Sequence, residues 1–255
     1  MLFRSDKSNN ECEFSFIYER SAEDGMVTRQ ERALNKTAQI LRAARSVVMD
    51  GGFAALQMNA VAVAADIAVG TIYRYYASRA ALCAAIVSVV SQREVDVLSA
   101  IADADGTPSQ KVSDAVKAFV ARAIRGRRLA YGLIFEPIDP EVESTRLKYR
   151  RDIAYVFERI IREGIAAGEF RDQTVQVSAT CVVGAFMEGL VGVLAPDVDD
   201  MKNRGEEFAL DIAELCLAAV SRPENPALRK PRPVIASSDP IPLKQKSKAN
   251  KGGQQ

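Results

Sequence analysis

From Leu34 to Ala219, apolar residues return every three or four positions, and short breaks rich in Gly, Pro and Asp interrupt them. That interval is the period of one helix face, not the alternation of a strand, so the chain is constrained to α-helices packed on one another. No segment reads persuasively as a strand, and there is no internal repeat. The spacing predicts a first helix over Leu34–Asp50, with Leu34, Ala38, Leu41, Ala44, Val48 and Met49 on its apolar face and Asp50–Gly52 as its stop. Short helices follow at Met58–Ala65 and Val69–Tyr75. Ser78 is a suitable N-cap for a longer helix reaching about Ser99. Pro108 fits just inside the next helix, whose inner face carries Val112, Val116, Phe119, Val120 and Ala123. Further helices are expected over Arg127–Phe135, from Asp139–Pro140 to Ala167, over Thr174–Leu194 and over Phe208–Ala219.

Composition narrows the chemistry. Hydrophobic residues make up 48% and charged residues 26% of the 255, which supports a substantial core. The chain contains no histidine, which excludes a His-ligated zinc, a Ser-His-Asp triad and a histidine acid–base catalyst. Four cysteines lie far apart with no CxxC pair, and Cys83, Cys181 and Cys216 fall in apolar helical patterns. No acid pair stands at a telling helical spacing. We therefore expect no enzyme, no metal and no cofactor. The opening residues lack a long apolar core, and Gln176 and Glu188 interrupt the most apolar stretch, Val175–Leu194, so a cytoplasmic protein with no membrane contact is expected.

The chain divides by pattern into four regions. Residues 1–28 are polar and without period, and read as a flexible arm. Residues 29–99 carry the first helices, and residues 108–220 a larger helical domain. From Arg222 onward the chain holds six of its ten prolines and eight Lys or Arg against two acids, so residues 221–255 read as a disordered basic tail.

Three helices in close succession, the last two short and joined by a tight turn, make a helix-turn-helix. Its second short helix would present its N-terminal residues to base edges in the major groove. "VGTIYRYY", Val69–Tyr76, sets three tyrosines around Arg74. Thr71, Tyr73 and Tyr75 offer hydroxyls and Arg74 a charged fork, which suit phosphate and base-edge contacts. Gly70 permits close approach to a sugar or phosphate. Val69 and Ile72 face the other way and can seat the helix. Residues 28–79 carry seven Lys or Arg against three acids in a chain of net charge +1, a locally basic footprint. The same tyrosines also suit plain packing, and Tyr76 reads that way.

Here the sequence resembles a known family. "ILRAARSVVMDGGFAALQM" followed by "AVAVAADIAVGTIYRYYASRAAL" is similar to the N-terminal domain of the TetR family of bacterial transcriptional regulators, over about Leu34–Val90. The turn falls on Ala65, Asp66 and Ile67, the family's Gly-Thr-Leu-Tyr on Gly70, Thr71, Ile72 and Tyr73, and its helix-opening lysine on Arg79. The resemblance implies groove contacts from Thr71, Tyr73 and Tyr75, and a phosphate contact from Arg79, for which a bridge to an acid is the alternative. Leu56 and Gln57 stand where the family often has hydroxyl residues near the second helix, one of which touches phosphate, and Gln57 is the candidate for that contact here. Asp66 replaces the turn glycine, and Ala68 a capping Ser or Thr whose loss typically costs ~1 kcal/mol.

The larger half would serve regulation and dimerisation. Thr174–Leu194 is apolar around too much of its circumference for a one-sided surface helix. With Phe208–Ala219 it could form half of a four-helix interface about a two-fold axis, through Val182, Ala185, Gly189, Phe208, Ile212 and Leu215; an ordinary buried helix is the alternative. Phe119, Ala123, Leu129, Leu133, Phe135, Tyr149, Ile153, Phe157 and Phe186 supply an inventory for a pocket taking a small, mainly apolar effector, or for plain core. The expected partners are double-stranded DNA, a second copy of the chain and an unidentified small molecule. The expected function is a homodimeric repressor released from a palindromic operator by that molecule. A protein-interaction module with a vestigial helix-turn-helix is the alternative.

Overall fold

The computed structural model describes residues 28–137, 139–195 and 204–222. The regular structure is helical: α1 (Arg29–Ala55), α2 (Met58–Ala64), α3 (Val69–Tyr73), α4 (Arg79–Asp103), α5 (Pro108–Arg125), α6 (Arg127–Ile134), α7 (Pro140–Ala166), α8 (Val175–Gly189), α9 (Val191–Leu194) and α10 (Gly205–Val220). This is the all-α class that the periodicity demands, with an N-terminal helix-turn-helix cluster and a larger helical bundle. Apart from Thr28, Ser221 and Arg222, the expected arm and tail lie outside the described residues.

The chain forms two compact units, residues 1–38 and 39–255. In the first, the described part is the opening of α1. The Thr28 amide donates to Glu31 Oε2 at 2.6 Å, and the Glu31 amide donates to Thr28 Oγ1 at 3.2 Å. This reciprocal cap explains why the helix starts ahead of the apolar stripe. The Thr28 amide also holds the Glu31 carboxyl below its usual pKa. Leu34, expected on the apolar face, is 63% exposed.

The second unit contains two apolar clusters. The first joins Ile40, Ala44 and Val48 of α1 to Leu56, Val61 of α2, Ile72 of α3 and Leu82, Cys83 and Ile86 of α4. The second joins Leu98 and Ala102 at the far end of α4 to α5, α7, α8 and α10. Helix α4 therefore belongs to both cores. It runs along α7, while α10 packs on α5 and α8.

Capping sets several boundaries that apolar spacing left blurred. Ser78 Oγ accepts from the Ala81 amide at 3.0 Å and starts α4, as its position requires. Thr107 and Gln110 form a second reciprocal cap at α5, with Pro108 in the first turn. Helix α1 runs through Gly51, and its helical dihedrals break at Gly52, φ 74°. The expected single helix over Thr174–Leu194 is two, α8 and α9, meeting at Leu190. Val175–Leu194 is long and apolar enough to cross a membrane, and here Ala179, Val182, Val183, Phe186 and Met187 lie within the second cluster.

Candidate nucleic-acid interface

Helix α2 ends in a Schellman turn. The Ile67 amide donates to Ala62 O at 3.0 Å and the Asp66 amide to Val63 O at 3.1 Å, with Asp66 at φ 50°. Left-handed backbone at this position normally selects glycine, and Asp is among the residues that tolerate it. The turn leads into α3, which packs on α2. Ile72 is fully buried and anchors α3 in the first cluster. Burying such a side chain contributes about 1.5–3 kcal/mol. Val69, expected beside it, is instead partly exposed.

Outward from that anchor lie Gly70, Tyr73 and Arg74, with Tyr73 52% exposed, and Thr71 is half-buried. A Cβ built on Gly70 would meet nothing within 4 Å, so nothing inside the protein requires a glycine there. Tyr75 lies beyond the last residue of α3 and packs half-buried against the first cluster, so it does not share an open face with Thr71. Tyr76 packs likewise, and burial pushes its phenol pKa up. Gln57 precedes α2 on the exposed side, with Nε2 donating to Ala54 O at 3.2 Å. Arg79 turns inward: Nε donates to Leu56 O at 2.7 Å, Nη2 to Phe53 O at 2.6 Å, and Nη1 faces Asp139 Oδ2 at 3.5 Å. Of the two uses open to Arg79, this geometry adopts the bridge to an acid and adds two carbonyl contacts.

Residues 40–86, from α1 into α4, match the family model described as bacterial regulatory proteins, tetR family. Residues 105–188, from the α5 cap into α8, match the model of the tetracyclin repressor-like C-terminal domain.

The chain belongs to the TetR family.

Proteins of this family are described as bacterial regulatory proteins. Among curated relatives, the HTH-type transcriptional repressor KstR of Mycolicibacterium smegmatis is 39% identical over 87 residues, which is 32% of this chain and 41% of that protein. KstR of Mycobacterium tuberculosis is 38% identical over 87 residues, 32% of this chain and 38% of that protein. The match thus spans about two fifths of the curated relatives' length. Among solved structures, the regulator FadR from Bacillus subtilis in complex with stearoyl-CoA superposes with TM-score 0.64 at 18% identity, over 72% of this chain and 99% of that one. RolR in complex with resorcinol gives 0.59 at 16% identity, over 85% and 100%. These likenesses show the TetR fold.

Within that TetR fold, the residues expected to line a pocket divide. Phe119, Phe157 and Phe186 form a buried aromatic group, with ring centroids 4.7 Å apart for Phe119–Phe186 and 5.6 Å for Phe157–Phe186. Ala123 and Ile153 belong to the same cluster, and Phe135 packs against it. Tyr149 is buried on α7. Leu129 belongs instead to the first cluster and Leu133 packs against it, because α6 lies on the end of α1, where Gly132 meets the Phe53 ring. Two polar side chains in this half are engaged within the protein: Arg122 Nε and Nη2 each donate to the Glu94 carboxylate at 3.0 Å, and Glu136 accepts from the Phe53 amide.

The expected interface residues also divide. Val182 and Ile212 are buried within the protomer's own second cluster, so their side chains face inward. Ala185 and Phe208 are partly buried, while Gly189 and Leu215 are outward, Leu215 being 62% exposed. Val177, Cys181, Gly184 and Glu188 complete the outward face of α8, and a Cβ on Gly184 would meet nothing within 4 Å. Burial pushes the Cys216 thiol up to about 12 and the Cys83 thiol upward as well, which makes both poor nucleophiles. Among the described residues no His/Cys/Asp/Glu cluster could hold a metal.

Proposed function

We propose that this chain is a homodimeric transcriptional repressor that binds a palindromic operator and is released from it by a small, mainly apolar ligand. The observation that carries the reading is α3: one buried anchor, Ile72, behind an outward set of Gly70, Tyr73 and Arg74, with Thr71 half-buried beside them. Such a helix offers donors to phosphates and base edges with no glycine or hydroxyl needed for its own packing. Gln57 lies on the exposed side beside it. Arg79 acts in this reading as an internal clamp of the motif.

Two recognition helices need two copies. The outward face of α8 and α10, with Val177, Cys181, Gly184 and Leu215, supports a two-fold four-helix contact. The aromatic group of Phe119, Phe157 and Phe186 supports a ligand with an apolar part; of the two neighbours named above, one holds stearoyl-CoA, which carries a long alkyl chain, and the other resorcinol, which carries an aromatic ring. Such a ligand shifts the dimer away from the operator-binding state to the extent that it binds the two states differently.

Selecting bound fragments from the source genome with the full-length protein tests this. The expected result is a recurrent palindrome, protected in footprinting, whose affinity falls steeply with salt. Arg74→Ala should weaken all duplexes and lower the salt slope by about one. Tyr73→Phe should cost about 1 kcal/mol through the lost hydroxyl bond. Absence of salt-sensitive binding to any duplex would favour the protein-interaction alternative.

A further inference from the structure

Arg146, on α7, is the one charged side chain that is buried among the described residues, at 7% exposure. Its contacts do not use the whole guanidinium. Nη2 donates to the Gly132 carbonyl of α6, and Nη1 donates to Glu143 Oε2 at 3.3 Å. Nε is buried as well and has no hydrogen-bond partner among the described residues. The charge is poorly matched too. The Glu143 side chain is half exposed, so water weakens its hold. Glu136 gives one carboxylate oxygen to the Phe53 amide. Arg150, one turn on, adds a second cation, with Nη2 donating to the Ile134 carbonyl at 3.3 Å. Burial lowers the Arg146 pKa; Glu143 opposes that, Arg150 reinforces it and Glu136 opposes it weakly.

A buried guanidinium that keeps its charge needs acceptors in place of the water it has lost. A carboxylate or a phosphate monoester brings acceptor oxygens and the missing negative charge together, as the Glu94 carboxylate does for Arg122 Nε and Nη2. A water molecule would bring an acceptor without the charge.

The surroundings of Arg146 say what such an anion is attached to. Arg146, Tyr149, Ile153 and Phe157 recur at intervals of three and four on α7, and all four are buried. Ile153 and Phe157 belong to the second apolar cluster, whereas Tyr149 belongs to neither cluster. Along its length this face changes from a cation, through an aromatic ring outside both cores, to the group of Phe119, Phe157 and Phe186. The rise along α7 from Arg146 to Phe157 is about 16 Å. That gradient suits a molecule with an extended apolar body and one anionic end.

We propose that the effector is an amphipathic anion, with its carboxylate or phosphate head on Arg146 and its apolar body along α7 toward the Phe119–Phe157–Phe186 group. The inference rests on the reading of a small, mainly apolar effector, and adds to it a charge of stated sign at a stated residue. Glu143 is in this scheme a competitor, which holds Nη1 until the head arrives.

The test is direct binding to the full-length protein without DNA, by calorimetry. Three probes share one alkyl chain: dodecanoate, dodecyl phosphate and 1-dodecanol. At least one anion should bind about 10-fold or more tighter than the alcohol, and the tighter of the two names the head group. Arg146→Met should remove that preference and leave the alcohol's affinity unchanged. Glu143→Gln, a near-isosteric change at a half-exposed site, should raise the preference about 3-fold, because the head no longer meets a fixed carboxylate. An arginine with a purely structural role would produce neither change. Should Arg146→Met fail to fold, Glu143→Gln decides alone. Wild-type protein that binds the alcohol as tightly as both anions overturns the proposal, as does a preference that survives Arg146→Met or fails to rise in Glu143→Gln. Protein that binds none of the three overturns the apolar-effector reading instead, and this inference with it.

Discussion

Helices α3 and α8 both carry a glycine that the protomer does not need. A Cβ on Gly70 or Gly184 would enter open space, whereas one on Gly164 would lie 2.1 Å from the Phe170 ring. A glycine inside a helix costs about 1 kcal/mol relative to alanine, so an unneeded one suggests a demand from outside. The company differs. Gly70 stands with Thr71, Tyr73 and Arg74, while Gly184 stands with Val177 and Cys181 on α8, and Leu215 is exposed on α10. One surface suits a polyanion and the other suits a second apolar helix. On the proposed reading, the same device, a missing side chain, would serve two partners distinguished only by the residues around it.

Four substitutions break or sharpen this contrast. The largest effect should come from the inward face of α8: Phe186→Ala removes the ring shared by Phe119 and Phe157 and should cost about 3–5 kcal/mol in urea unfolding. Association should suffer only in proportion to folding. On the outward face of α10, Leu215→Arg should leave the protomer folded and weaken the dimer roughly a hundredfold, by burying an unpaired charge, as sedimentation would show. Alkylation of Cys181 should be slow in the dimer and fast in that variant; equal rates would remove Cys181 from the contact. Gly70→Ala should stabilise α3 by up to about 1 kcal/mol while weakening duplex binding, a sign opposition that packing alone cannot produce. The smallest effect belongs to Asp66→Gly, which relieves the φ of 50° and should raise stability by about 1 kcal/mol or less by thermal unfolding.

The recognition motif was legible in the sequence because its signals are local. Asp66 at a turn, Ser78 before a helix and Ile72 between polar neighbours each announce their geometry within a few residues. Boundaries moved where capping, not apolar period, decides them, as at Thr28 and Thr107. Contacts between distant segments left no such trace. Glu136 and Asp139 read as the end of one helix and the start of another, and nothing near them names Phe53, 83 residues from Glu136, or Arg79, 60 residues from Asp139, as a partner. The division of Leu129 and Leu133 from Phe119 and Phe157 failed for the same reason: apolar residues on successive helices look alike until the packing assigns each to a core. Val182 and Ile212 show a related limit, since a helix apolar all round does not say which side meets its own bundle.

Because α3 is tethered from behind by Ile72 alone among its fully buried residues, its tilt is set by the volume and shape of a side chain hidden from any bound duplex. Sequence preference in such a reader can then drift, or be engineered, through conservative exchanges at Ile72 and its neighbours Val61 and Leu82, re-aiming every fingertip at once without altering one of them.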